Sequence, residues 1–180
     1  MRGVVTEVFL RAPAVIVTLA MWACSSSMSP EAPTELDPPA VSAAPSSMAT
    51  AIVDLTNAER GRAGMAEFRS NTRLMQAAQI QADQMARIGR LDHVLNEATY
   101  PRPEDRLAAV SYQWRAYAEN VAYNQRGAAE VVNSWMQSSG HRANILNSSL
   151  VEIGVGYARD ASGRPYYVQV FGAPMSNRGS

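Results

Sequence analysis

The stretch "SWMQSSGHRANILNSSLVEIGVGYA", residues 134–158, changes its hydrophobic period in the middle, and that change decides the fold class. Up to Ser138 the apolar residues Val131, Val132, Trp135 and Met136 recur at helical spacing, which predicts a helix over residues 128–138. Gly140 reads as the stop, so His141 is expected just past a helix end. Beyond it, Ile153, Val155 and Tyr157 alternate with small or polar residues. "ASGRP" (161–165) then supplies turn residues, and "YYVQVFG" (166–172) resumes the extended pattern, so the segment predicts a β-hairpin.

Upstream the pattern is helical. Ile52, Leu55 and Ala58 predict a first helix ended by Gly61 and Gly64, with the folded part starting near Met48. Residues 72–88 carry Leu74, Ala78, Met85 and Ile88 on one side, with Gln81 and Gln84 as polar residues between them, and Gly89 is the stop. Pro103 opens a short helix through "EDRLAAV". "YAENVAYN", residues 117–124, is assigned no element. Helices first and paired strands last indicate an α+β chain with an antiparallel sheet. No Gly-rich phosphate loop of Walker or Rossmann spacing occurs, so nucleotide binding has no support.

The first residues place Arg2 and Arg11 before an apolar run that extends from Ala12 to Ala23, too short for a membrane span of roughly 20 residues. This predicts a signal peptide over residues 1–23. The run ends in "AMWAC", which resembles the lipobox of bacterial lipoproteins. In that signal a small residue, here Ala23, precedes a Cys that becomes lipidated and N-terminal. Cys24 is the only cysteine of the chain, so no internal disulfide competes for it. A lipid on Cys24 would hold the mature protein at a membrane of the cell envelope. Residues 24–47 are rich in Ser, Pro and Ala and poor in large apolar side chains, the composition of an extended tether. The domain is then expected over residues 48–174, with a short tail at 175–180.

Formal net charge is zero, which removes long-range attraction to polyanions, and no nucleic-acid partner is expected. Every basic residue is Arg, so lysine amine chemistry is absent from the side-chain repertoire.

The order "LTNAERGRAG", a lone His after the second helix, "AEN", "SWMQSSGHRANIL", "EIGVGYA" and "YYVQVFG" resembles the CAP (SCP/TAPS) superfamily in its bacterial form over residues 49–173. The resemblance implies an α-β-α sandwich with a central antiparallel sheet and a cleft where two His and two Glu commonly converge, the His pair binding zinc or another divalent ion in several members. Matched by motif, the cleft residues are His93, Glu119, Ser138 and His141. Ser138 stands where the family's second Glu falls, Ala118 replaces the usual Gly before Glu119, and Val94 and Leu95 replace the common Ser or Thr after His93.

Those residues permit two arrangements. His93, His141 and Glu119 together would form a two-nitrogen, one-oxygen ligand set. Alternatively, Glu119 would accept the N–H of one imidazole and orient it, leaving a His pair that binds zinc weakly and exchangeably. His141 has a plainer reading as a helix-terminal residue beside Gly140, and Glu119 as a surface charge. A Ser138/His141 acyl-transfer pair lacks the G-x-S-x-G elbow. The leading expectation is a binding module for a divalent ion, a small ligand or an envelope component. A metal-dependent hydrolase of peptides or cell-wall material, with Glu119 as general base, and a lipid or sterol carrier are the rivals.

Overall fold

The computed structural model describes residues 45–175. The expected leader, Cys24, most of the tether and the tail from residue 176 lie outside the described residues.

Among the described residues nine elements follow one another: α1 (Pro45–Arg62), β1 (Arg69–Ser70), α2 (Thr72–Ile88), α3 (Pro103–Ala109), β2 (Trp114–Tyr123), α4 (Ala128–Gln137), α5 (Ser139–Ile145), β3 (Glu152–Arg159) and β4 (Pro165–Pro174). The strands form one sheet in the order β1-β3-β4-β2. β3 and β4 make the expected hairpin, and β2 joins β4 antiparallel with Glu119 opposite Val170. The edge strand β1 pairs with β3 in parallel, so the sheet is mixed rather than purely antiparallel. Two residues are too few to show a period, which is why the sequence gives no sign of β1.

Side chains alternate across the sheet, and helices cover both faces. On one face Ala118, Ala122, Ile153, Val155 and Phe171 pack with Ile52 of α1, Val131, Val132 and Trp135 of α4, and Ile145 of α5. On the other, Tyr117, Val121, Val168 and Val170 pack with Leu74, Ala78 and Met85 of α2 and Leu107 of α3. This is an α-β-α sandwich. Two glycines set how close α2 comes. A Cβ on Gly154 would lie 2.0 Å from the backbone carbon of Leu74, and one on Gly156 would lie 2.3 Å from that of Ala78. The strand therefore receives the helix backbone directly.

α2 runs as expected, from the Asn71 cap, whose side chain accepts from the amides of Arg73 and Leu74, to Gly89 at φ 76°. α1 begins at Pro45, three positions before Met48. Gln81 and Gln84, the polar residues among the apolar positions of α2, are buried, and both bond to the loop that follows α2. One expectation needs correction. The break before the hairpin falls at Ser138, which is extended at φ −93°, ψ 122°, and not at Gly140. A new helix, α5, starts at once, so Gly140 and His141 lie inside a helix and near its N-terminus.

Candidate functional site

β2 is the edge strand at the opposite side of the sheet from β1. Glu119 sits on the α2/α3 side of β2, between Tyr117 and Val121, while Asn120 faces α5. His93 reaches the edge from one layer and His141 from the other.

The His93 loop is tied down along its length. Gln81 Nε2 donates to the carbonyl of Asp92 at 2.6 Å, and Gln84 exchanges two hydrogen bonds with the backbone of Tyr100. Leu95, with no exposed surface, anchors the middle. The decisive residue is Arg106 of α3, which is 1% exposed. Its Nη1 donates to the carbonyls of Tyr100 and Pro101, and its Nη2 to that of His93 at 3.2 Å. Nη2 also donates to Glu119 Oε1 at 3.1 Å and Oε2 at 2.9 Å. Glu119 Oε1 in turn lies 2.9 Å from His93 Nδ1.

Charge and burial compete here. Burial, the strongest influence on Glu119, pushes its pKa up. The Arg106 charge and the hydrogen bond and charge of His93 outweigh it, and the net shift is downward. For His93, burial again acts most strongly and pulls the pKa down, yet the hydrogen bond and charge of Glu119 leave it raised. His141 has no such partner. Desolvation, followed by the nearby charge of His93, holds it down to about 4, so its ring is neutral at physiological pH.

His141 is placed by a buried amide network. Thr56 Oγ1 accepts from Gln169 Nε2 at 2.7 Å, and Gln169 Oε1 accepts from Asn120 Nδ2 at 3.1 Å. Asn120 Nδ2 also donates to the carbonyl of His141 at 3.2 Å, and its Oδ1 accepts from Asn144 at 2.9 Å. α5 is thereby pinned to the strand that carries Glu119. Ser138, the fourth expected residue, sits at the α4/α5 junction with its hydroxyl buried. That hydroxyl has no hydrogen-bond partner among the described residues and makes no cap to α5.

Among the described residues no three His, Cys, Asp or Glu side chains are arranged to hold a metal ion together. Both Glu119 oxygens are committed to Arg106 and His93. What is left is the second nitrogen of His93 and the ring of His141, for which no hydrogen bond exists among the described residues. Two imidazole nitrogens, with His93 deprotonated at Nε2, would suit a weak, exchangeable divalent ion better than a permanent one.

Trp135, Trp114 and Tyr123 are structural. Trp135 is buried and donates to the carbonyl of Val121, Trp114 packs edge-on against Tyr117, and Tyr123 stacks on Tyr166. Sequence reasoning missed Arg106 and the Thr56–Gln169–Asn120–Asn144 chain. Arg106 carried a signal, standing next to Leu107 and three residues after Pro103 on what becomes the inward side of α3. A separate cavity of about 670 Å³ opens beside the start of α2, where Glu152 accepts from Tyr112 and Asn71. None of the four expected residues lines it.

Residues 53–171 match the family described as "CAP: Cysteine-rich secretory protein family". An uncharacterized protein of Bacillus subtilis, YkwD, is 36% identical over 111 residues, a match covering 62% of this chain and 42% of that protein. Among solved structures, an extracellular protein of Bacillus anthracis containing a SCP domain aligns with a TM-score of 0.65 at 24% identity, over 71% of this chain and 41% of that one. An outer surface protein of Borrelia burgdorferi aligns with a TM-score of 0.62 at 18% identity, over 70% of this chain and 92% of that one. The chain thus spans less than half the length of the Bacillus proteins it matches, and the two structures speak for the fold alone.

Proposed function

The chain belongs to the cysteine-rich secretory protein (CAP) family, and from that premise we propose that it is an exported, lipid-anchored binding module. Its cleft takes a divalent ion or a small ligand between the imidazoles of His93 and His141. The observation that carries this reading is the hydrogen bond between His93 and Glu119, in a site where His141 is neutral and unengaged. With Nδ1 turned to the carboxylate, His93 offers Nε2. His141 offers a ring nitrogen from the opposite layer. A bound divalent ion such as zinc would supply a Lewis-acidic centre with positions open to a further ligand.

Of the two roles open to Glu119, the geometry favours orientation over ligation. A carboxylate that accepts from Arg106 through both oxygens has little capacity left for a metal. The same contacts weigh against the metal-dependent hydrolase, because a general base must face water and take its proton. Anchoring through Cys24 rests on the "AMWAC" signal and the Ser/Pro/Ala-rich stretch that follows it. The words "extracellular" and "outer surface" in the descriptions of two similar structures support an outward-facing location.

The test is calorimetric titration of the purified protein with zinc, wild type beside His93→Ala/His141→Ala. One-to-one binding in the wild type, lost in the double variant, supports the proposal. Equal binding by both proteins refutes the His pair, and no binding by either leaves a ligand other than zinc to be sought. Substrate turnover lost in Glu119→Gln would restore the hydrolase.

A further inference from the structure

We propose that Arg106 is the positioning residue of the cleft, holding the Glu119 carboxylate so that the neutral His93 ring carries its proton on Nδ1 and keeps its Nε2 lone pair for a ligand. The inference rests on the reading of this cleft as a binding site and adds to it the element that prepares one donor in advance.

The geometry is specific. An ionised carboxylate only accepts hydrogen bonds, so a ring nitrogen 2.9 Å from Glu119 Oε1 must be the protonated one. Glu119 remains an acceptor because the guanidinium of Arg106 lies against both of its oxygens. The guanidinium thus supplies counter-charge to Glu119 whether or not the imidazole is a cation, and when the ring is neutral its one proton lies on Nδ1. Arg106 also binds the main-chain carbonyl of His93, so one planar group fixes the backbone of the residue and, through Glu119, the face of its ring. A lysine would bring the charge to this place without the fork.

The tautomer is observable without any metal. With only two histidines in the chain, ring-nitrogen NMR shifts assign each imidazole by comparison with His141→Ala. At alkaline pH, where both rings are neutral, wild-type His93 is expected as a single Nδ1–H tautomer. Arg106→Gln should show a mixture of tautomers and zinc binding about 10–100-fold weaker. Arg106→Lys should fall between the two in both readouts. A wild-type ring protonated on Nε2 overturns the proposal, as does a folded Arg106→Gln with the wild-type tautomer. If Arg106→Gln does not fold, the wild type and Arg106→Lys decide. Absence of zinc binding by the wild type would sink the metal reading and leave the tautomer to judge Arg106.

Discussion

Replacing Gly154 with Ala tests the seat of α2, and with it the placement of the His93 loop. The new Cβ would stand 2.0 Å from the Leu74 carbon, 2.1 Å from the Met75 nitrogen and 2.4 Å from the Leu74 oxygen. All three atoms are backbone, so no rotamer relieves the overlap. Restoring van der Waals contact requires helix and strand to part by about 1.4 Å. A gap of that size forfeits most of the dispersion contact that Leu74, Ala78 and Met85, all fully buried, make with the sheet. Overpacking costs about 1–3 kcal/mol where side chains can adjust, and with backbone on both sides the expected loss is about 3 kcal/mol or more. Chemical denaturation of the purified protein measures it. Gly61→Ala is the control, since a Cβ there meets nothing within 4 Å, and in a helix the change should stabilise by about 0.5–1 kcal/mol. The displacement should also loosen the hydrogen bonds of Gln81 and Gln84 to the His93 loop and weaken zinc binding. A Gly154→Ala protein within about 0.5 kcal/mol of wild type would refute the close seating of α2.

Asn120→Ala should destabilise by about 1–3 kcal/mol, because it removes the donor to Gln169 Oε1 and to the His141 carbonyl and the 2.9 Å acceptor of Asn144, all in a buried place. Denaturation measures this, and zinc affinity should fall with it as α5 loosens. Acid should act through His141 and Glu119. The folded protein holds His141 near 4 against an ordinary value of 6.5, so the unfolded chain binds the extra proton between those values and stability falls as pH drops through that window. Glu119, also depressed, adds a loss at lower pH, whereas the raised His93 contributes stability at low pH that disappears as pH rises through its folded value. His141→Gln should therefore flatten the stability curve between about pH 6.5 and about pH 4. A curve of unchanged slope would contradict the desolvated ring.

The period change around residue 141, the helix 72–88 with its glycine stop and the hairpin were legible because long, regular elements repeat their pattern several times. β2 was not, since it is buried on both faces along most of its length and runs as "AYAENVAY" without a clean alternation. The placement of His141 failed for a local reason. A glycine next to a histidine imitates a helix end, whereas the chain bends two residues earlier at Ser138 and reinitiates. His93, Glu119 and His141 were singled out through motif resemblance alone, and the contact between His93 and Glu119 follows from the fold. Arg106, Gln81 and the Asn120 network escaped because buried polar residues look like surface ones until their partners on other elements are brought beside them.

The most direct measurement of the central claim is an NMR titration of the two imidazoles with zinc in the wild-type protein. The His93 and His141 ring resonances are expected to respond together and saturate at one equivalent. A response of one ring alone, or of neither while zinc binds elsewhere, would contradict it.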